Sequence, residues 1–417
     1  MRTAAVDFFC GAGGLTYGLE ETGIDVIAGI DIDPEARFPY QANTGAKFIQ
    51  KDVGGLLGNE SNADIDSLRM EEVEDFYPDD SISVLVGCAP CQPFSDLNNG
   101  VVNSDHEKWG LLEAIRRVSE ELEPDIVAIE NVKGLADDEI YTEGFREWFE
   151  QHDEYNIWDD IIDCRDYLVP QSRRRLIMLA SRLGDIELIP PTRSPDDIVT
   201  VRRAFADADL PEIGAGEVAS DVDPLHKAAG LRGKNSERMR YTKGGEDWHD
   251  WPDRLKLDSQ DENNSFTAYG RMWWDKSAPT LTTQFYNWGS GRFGHPGYDE
   301  EPAESTDRAI SLREGAILQT FPKDYRFVQR GENPVNDTIG RLIGNAVPVR
   351  VGNAIGGSIR RHLDQLGVDV EDGGPHENKT RDDSLSSSEV LVPPPVLEDQ
   401  SRSIDFLEQS TDATRVR

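Results

Sequence analysis

The apolar and polar positions of the chain open with a strand, a turn and a helix. Residues 3 to 9 (Thr-Ala-Ala-Val-Asp-Phe-Phe) are a compact apolar run that predicts a buried strand, followed by the turn Cys10-Gly11-Ala12-Gly13-Gly14 and a helical stretch from Leu15 to Thr22. A second apolar run, Val26-Ile27-Ala28-Gly29-Ile30, ends at Asp31 and completes a βαβ unit. Residues 54 to 80 are polar and acidic and predict loops with a short helix. Buried strands are predicted again at Ser83-Val84-Leu85-Val86, at Asp125-Ile126-Val127-Ala128-Ile129 and at Leu176-Ile177-Met178-Leu179-Ala180. Between the first two of these lies Lys108 to Glu123, with helix-spaced Leu111, Leu112, Ile115 and Val118 and a stop at Pro124. Continuous apolar runs alternating with helices predict a doubly wound α/β sheet.

From about Leu183 this rhythm gives way to Pro-, Gly- and Asp-rich segments, and it returns with a helix at 311–319 and another near 350–364. The expected organisation is an α/β domain over 1–184, an inserted smaller region over 185–290, and a return to the first domain over 291–367. Residues 368–417, rich in Asp, Glu, Ser, Pro and Gly, are expected to be a disordered acidic tail. Within or just after the insertion lie Trp248, Trp251, Trp273, Trp274 and Trp288, interleaved with Arg232, Lys234, Arg238, Arg240, Lys243 and Arg271. Such a set forms either a small core or a surface for bases and phosphates.

Charge changes the picture of the environment more than that of the fold. The chain carries 79 acidic and 43 basic residues, a net charge of −36 spread along its length, which points to a salt-rich cytoplasm. At molar salt the Debye length falls to about 3 Å, so an acidic surface does not exclude a DNA partner. Four scattered cysteines make no disulfide framework, no signal-peptide pattern opens the chain, and no apolar run reaches membrane-spanning length. A reduced cytoplasmic protein with no membrane association is expected.

The candidate chemistry sits at the predicted strand ends. Gly87-Cys88-Ala89-Pro90-Cys91-Gln92-Pro93-Phe94-Ser95 follows a strand directly, and Pro90 and Pro93 stiffen the loop around Cys91, where an open α/β sheet places a nucleophile. Glu130 arrives at the same sheet edge from the next strand, and Gln171-Ser172-Arg173-Arg174-Arg175 is a dense basic cluster in an acidic chain. Asp31 lies at about the spacing, some twenty residues, at which an acidic side chain grips a ribose. The glycine pattern departs from the dinucleotide fingerprint, because Thr16 stands where its last glycine belongs, and a nicotinamide oxidoreductase would leave Cys91 without a role.

Taken together, Asp7-Phe8-Phe9-Cys10-Gly11-Ala12-Gly13-Gly14, Gly87 to Ser95, Glu130-Asn131-Val132, Gln171-x-Arg173-x-Arg175, Arg313-Glu314 through Gln319-Thr320-Phe321-Pro322, and Gly344-Asn345-Ala346-Val347-Pro348 resemble six motifs of the cytosine-5 DNA methyltransferases, in family order. The resemblance covers Ala4 to about His362, and the insertion falls where that family carries its target recognition domain. It implies a Rossmann-like, S-adenosylmethionine-dependent methyltransferase sheet and double-stranded DNA as substrate. It also implies a cognate restriction endonuclease as a possible companion and a monomer.

Carbon 5 of cytosine is a poor nucleophile, so electrons must first enter the ring, which covalent catalysis achieves. The resemblance implies that Cys91 adds to C6 while Glu130, protonated or sharing a proton with the base, hydrogen-bonds N3. Arg175 would meet O2, Arg173 would lie close to the backbone and the thiol, and the base must be flipped out of the duplex. Phe9, Gly11, Gly13 and Gly14 would line the cofactor, Asp31 its ribose, Asp52 its adenine amino group and Asn345 its carboxylate end. No metal is expected. Cys88 replaces the family's usual small residue and creates a C-x-x-C pair, which fits neither a zinc half-site with a partner pair nor a thioredoxin context. Cytosine-5 methylation of RNA, and DNA binding without turnover, are the alternatives. Retention of Gln92-Pro93-Phe94-Ser95 argues against the first, and retention of all four catalytic candidates against the second.

Overall fold

The computed structural model describes residues 1–58, 65–90, 110–152, 154–192, 197–219, 223–257, 268–297 and 307–371. Its strands are β1 (Arg2–Phe8), β2 (Val26–Asp31), β3 (Lys47–Gln50), β4 (Ser81–Gly87), β5 (Ile126–Val132), β6 (Asn156–Asp163), β7 (Gln171–Ser172), β8 (Arg174–Ser181) and β9 (Ala278–Pro279). Seven of them form one sheet in the order β3-β2-β1-β4-β5-β8-β6, and β7 pairs with β9. The first five of the seven run parallel, whereas β8 is antiparallel to both β5 and β6. The chain winds outward from β1 through β2 to β3, then restarts at β4 on the other side of β1. The carboxyl ends of β1 and β4 therefore flank the switch point, where open α/β sheets bind their ligands.

The helices are α1 (Gly14–Glu21), α2 (Arg37–Asn43), α3 (Met70–Glu74), α4 (Gly110–Leu122), α5 (Glu147–Gln151), α6 (Val201–Ala208), α7 (Lys234–Tyr241), α8 (Leu312–Leu318), α9 (Asn336–Asn345) and α10 (Val349–Gln365). Alternating side chains of each central strand enter different cores. Ala5, Val84, Val86, Ile126, Ala128, Ile177 and Leu179 pack with Leu15 and Leu19 of α1 and with Ile355 and Ile359 of α10. Val6, Phe8, Leu85, Val127, Ile129 and Met178 pack with Leu112, Ile115 and Val118 of α4 on the opposite face. Burial on both faces is why these strands read as continuous apolar runs. Small residues let α1 and α10 touch: a Cβ on Gly18 would lie 2.5 Å from Val349 O.

The polar, half-exposed β6 has no apolar run to announce it, and the short β3, α2 and α9 are likewise additions to the pattern read from sequence. Within the 231–309 stretch, Trp248, Trp251 and Trp288 are buried with Met239 and Leu255 in a small third core, so for these three the core reading holds. Arg238 and Arg271 are buried too, with Arg238 Nε donating to Leu255 O and Arg271 ion-paired with Asp307. Arg232, Lys234, Arg240 and Lys243 are exposed. Trp273 lies between the cations of Lys276 and Arg292, 4.2 and 4.3 Å from its ring centre. The expected tail falls almost wholly outside the described residues. Among the described residues no helix is long and apolar enough to cross a membrane.

Candidate active site

At the end of β1 the backbone turns sharply. Phe9, Gly11 and Gly13 all adopt positive φ (62°, 51° and 91°), a region that costs glycine little and Phe9 more. Gly11 N donates to Asp31 Oδ2 at 2.8 Å and Asp33 N to Asp31 Oδ1 at 2.9 Å, so the carboxylate at the end of β2 is locked against the turn. Burial raises the Asp31 pKa, and the two backbone donors oppose that rise. A Cβ on Gly11 would meet nothing within 4 Å, whereas on Gly14 it would lie 2.3 Å from Val347 O. The turn is thus open on one side and closed on the other by the segment that follows α9. Asn345, exposed, is the last residue of α9. Asp52, half-exposed just beyond β3, accepts from Gly54 N at 2.8 Å.

Beneath this turn lies a carboxyl that sequence reasoning passed over. Asp7 is buried within β1, accepts from Thr16 Oγ1 at 2.6 Å, and its Oδ1 has no hydrogen-bond partner among the described residues. Burial pushes its pKa up to about 7, with the neighbouring charge of Asp31 adding to the rise. An aspartate inside an apolar strand was the available signal, since an ionisable group there needs a reason.

The catalytic candidates gather at the ends of β5 and β8. Antiparallel pairing sets Val132 opposite Arg175, and Arg175 Nε comes within 2.8 Å of Glu130 Oε1. Glu130 is 2% exposed. The contact is an ion pair by distance without hydrogen-bond alignment, and Oε1 has no aligned partner among the described residues. Arg173 is buried, donates to Gly344 O and Ala346 O at 3.4 and 3.3 Å, and is pushed down to about 10 by burial and then by the charge of Arg175. Its two carbonyl partners flank Asn345, so Arg173 links the basic cluster to the segment closing the glycine turn. Behind this group Cys164 is fully buried; burial pushes its thiol up to about 12 against the pull of Arg175 and Arg173. Gln171 is also buried, donating to Leu318 O and Gln319 Oε1 at 3.2 and 3.1 Å, a bracket between β7 and α8.

Cys91, the expected nucleophile, lies outside the described residues. The chain leading to it is described as far as Pro90. Cys88 N donates to Phe8 O at 3.2 Å, Asn131 Nδ2 to Ala89 O at 3.0 Å, and Cys88 Sγ to Glu130 Oε2 at 2.8 Å. The described residues thus form two groups, Phe9, Gly11, Gly13, Gly14 and Asp31 at the glycine turn and Glu130, Arg173 and Arg175 beyond β4, while Asp52 stands just past β3 and Asn345 ends α9 between the two carbonyls that Arg173 holds.

A mostly parallel sheet with a glycine turn after β1 and an acidic side chain closing β2 is the Rossmann-like architecture of the S-adenosylmethionine-dependent methyltransferases. The donor set suits that cofactor: an open glycine turn, backbone N–H groups at the start of α1, and a fixed carboxylate with lone pairs left for hydroxyl groups. The C-5 cytosine-specific DNA methylase family model matches residues 3–361, and the chain belongs to that family. It is similar to the Type II methylase M.HgiDII of Herpetosiphon aurantiacus, 39% identical over 375 residues that cover 88% of this chain and 97% of that protein. It is also similar to the Type II methyltransferase M.XorII of Xanthomonas oryzae pv. oryzae, 28% identical over 389 residues, 87% of this chain and 85% of that one. Its fold resembles that of a solved Escherichia coli structure described as a prophage-encoded DNA modification methyltransferase, with a TM-score of 0.60 at 23% identity, covering 87% of this chain and 100% of the other. The chain is a DNA cytosine-5 methyltransferase that uses S-adenosylmethionine.

Proposed function

We propose that the enzyme methylates carbon 5 of cytosine within one short double-stranded DNA sequence by a covalent route through Cys91, on a base flipped out of the duplex. The observation that carries this reading is Glu130: a carboxyl 2% exposed at a strand end, with Oε1 lacking an aligned partner among the described residues and Arg175 beside it. A buried carboxyl left incomplete in this way is suited to a ligand that completes it.

In this reading the Cys91 thiolate adds its electron pair to C6, and charge moving onto the ring at N3 is met by the Glu130 carboxyl, leaving C5 electron-rich. Bound S-adenosylmethionine supplies the methyl group, carried on a positively charged sulfur. Loss of the C5 proton then returns electrons to the ring and expels the sulfur of Cys91. Arg175 contacts O2 of the base and steadies Glu130, while Arg173 holds the backbone that closes the glycine turn. Phe9, Gly11, Gly13 and Gly14 line the cofactor, with Asp31 at its ribose, Asp52 at its adenine and Asn345 at its carboxylate end.

The 185–290 region reads the DNA in this account, and the exposed Arg232, Lys234, Arg240 and Lys243 support phosphate contacts. That the two relatives are named as Type II enzymes supports a restriction endonuclease acting at the same site. We read the protein as a cytoplasmic monomer, and its −36 charge supports adaptation to high salt. The test is base-resolution methylation sequencing of DNA treated in concentrated potassium chloride. Methylated cytosines in one sequence context, absent with Cys91→Ser, are expected; a Cys91→Ser enzyme as active as wild type would remove Cys91 from the mechanism.

A further inference from the structure

The pairing of β4 with β5 keeps one register from Val84 opposite Ile126 to Gly87 opposite Ile129. Carried past the last pair, that register sets Cys88 beside Glu130 and Ala89 beside Asn131, and both contacts exist. Asn131 Nδ2 donates to Ala89 O at 3.0 Å, and Cys88 Sγ donates to Glu130 Oε2 at 2.8 Å. From the other side, Cys88 N donates to Phe8 O of β1 at 3.2 Å. The backbone at Cys88 and Ala89 is therefore tied to both neighbouring strands, and the thiol is aimed rather than free to swing.

The Glu130 carboxyl has a different neighbour on each oxygen, Arg175 Nε at Oε1 and the thiol at Oε2. This asymmetry has a chemical use. The last torsion of a glutamate is broad and nearly two-fold, so an untethered carboxyl presents either oxygen, at a range of tilts, to whatever lies before it. A donor fixed to one oxygen removes that freedom before the base arrives, which is the preorganisation that transition-state hydrogen bonding requires. A thiol is a weak, uncharged donor. It can orient the carboxyl without adding a second positive charge beside the one that Arg175 already supplies.

We propose that Cys88 is a positioning residue for the methylation reaction, its S–H bond to Glu130 Oε2 fixing the carboxyl edge that meets the target cytosine. This rests on the reading of Glu130 as the group that meets the base. Cys88 acts through Glu130 and touches neither base nor cofactor in this role.

The experiment measures kcat and KM for DNA with full-length wild type, Cys88→Ala, Cys88→Ser and Glu130→Gln. Loss of one hydrogen bond from a weak, uncharged donor corresponds to about three- to tenfold in rate. Cys88→Ala is expected to lower kcat by that factor, with KM for DNA changed less than about twofold, and Cys88→Ser, which keeps a donor, to recover most of it. Equal loss of kcat in the serine and alanine variants, tracking equal loss of thermal stability, would overturn the proposal in favour of simple packing. Wild-type kcat in Cys88→Ala alongside a slow Glu130→Gln would overturn this proposal alone, whereas wild-type turnover in Glu130→Gln would overturn the reading beneath it. A second measurement needs no turnover. Iodoacetamide labelling, with Cys88 and Cys91 separated by tandem mass spectrometry, is expected to modify Cys88 several-fold faster in Glu130→Gln, because the negative charge opposing a thiolate at 2.8 Å is gone. An unchanged rate would show that Cys88 and Glu130 do not interact.

Discussion

Arg308 and Glu314 form a buried ion pair whose loss can be worked out from its contacts. Both side chains are 4% exposed. Two guanidinium nitrogens reach the two carboxylate oxygens at 2.6 and 2.8 Å, while Arg308 Nε donates to Ile213 O at 2.8 Å. The same carboxylate accepts from Ser311 N at 2.7 Å, and Ser311 Oγ accepts from Glu314 N at 3.1 Å, a reciprocal cap on α8. Burial alone would raise the Glu314 pKa, but Arg308 holds it well below the usual carboxylate range. Glu314→Ala strands a buried guanidinium, which costs about 3–5 kcal/mol, and removes half of the cap, about another 0.5–1 kcal/mol. Arg2→Ala provides the contrast, since the Arg2–Glu371 pair is 69% and 68% exposed, and its loss is expected to stay within about 0.5 kcal/mol. Urea unfolding followed by tryptophan fluorescence reads both variants. Replacing both partners, Arg308→Met with Glu314→Leu, is expected to cost less than Glu314→Ala alone, because no charge is left stranded. A Glu314→Ala midpoint equal to that of Arg2→Ala would refute the reasoning.

Two further outcomes are expected. His295 is buried beside this pair, and burial, opposed by the charge of Glu314, pushes its pKa down to about 3. The unfolded chain takes up a proton near pH 6.5 that the folded one refuses until about pH 3, so this residue's contribution is intact above pH 6.5 and drains at up to about 1.4 kcal/mol per pH unit below it; His295→Gln should flatten that part of a stability-against-pH curve, and an unchanged curve would contradict it. Asp31→Ala removes the carboxylate that holds Gly11 N at 2.8 Å, and calorimetry should record at least about a tenfold loss of S-adenosylmethionine affinity with DNA binding nearly unchanged.

Much of the sheet was legible because its central strands are buried on both faces. Ser83 to Val86 and Asp125 to Ile129 announce themselves as apolar runs, and the structure places both in strands, β4 and β5. The half-exposed β6, Asn-Ile-Trp-Asp-Asp-Ile-Ile-Asp, does not, because its charged side chains break any run. Glu130 was picked out at a strand end, Arg173 and Arg175 as a basic cluster at the start of another, and all three by the family resemblance; the structure brings them together. The contact of Cys88 with Glu130 could not be read, since it depends on the β4–β5 register, which no local pattern encodes. Asp7 was hidden for a different reason. It counted as one polar residue in an apolar strand, while its meaning comes from burial and from Asp31, a neighbour on another strand. Trp248, Trp251, Trp273, Trp274 and Trp288 divided between core and half-buried positions only once the third core was seen.

The central claim is covalent catalysis by Cys91, and the most direct test traps the adduct. In DNA whose target cytosine carries fluorine at C5, no proton is there to be lost, so the sulfur cannot be expelled and protein and DNA stay joined. With S-adenosylmethionine present, mass spectrometry is expected to show a one-to-one covalent complex whose modified peptide maps to Cys91, absent with Cys91→Ser. A protein that binds this DNA and the cofactor yet forms no adduct, or forms it at another residue, would contradict the account.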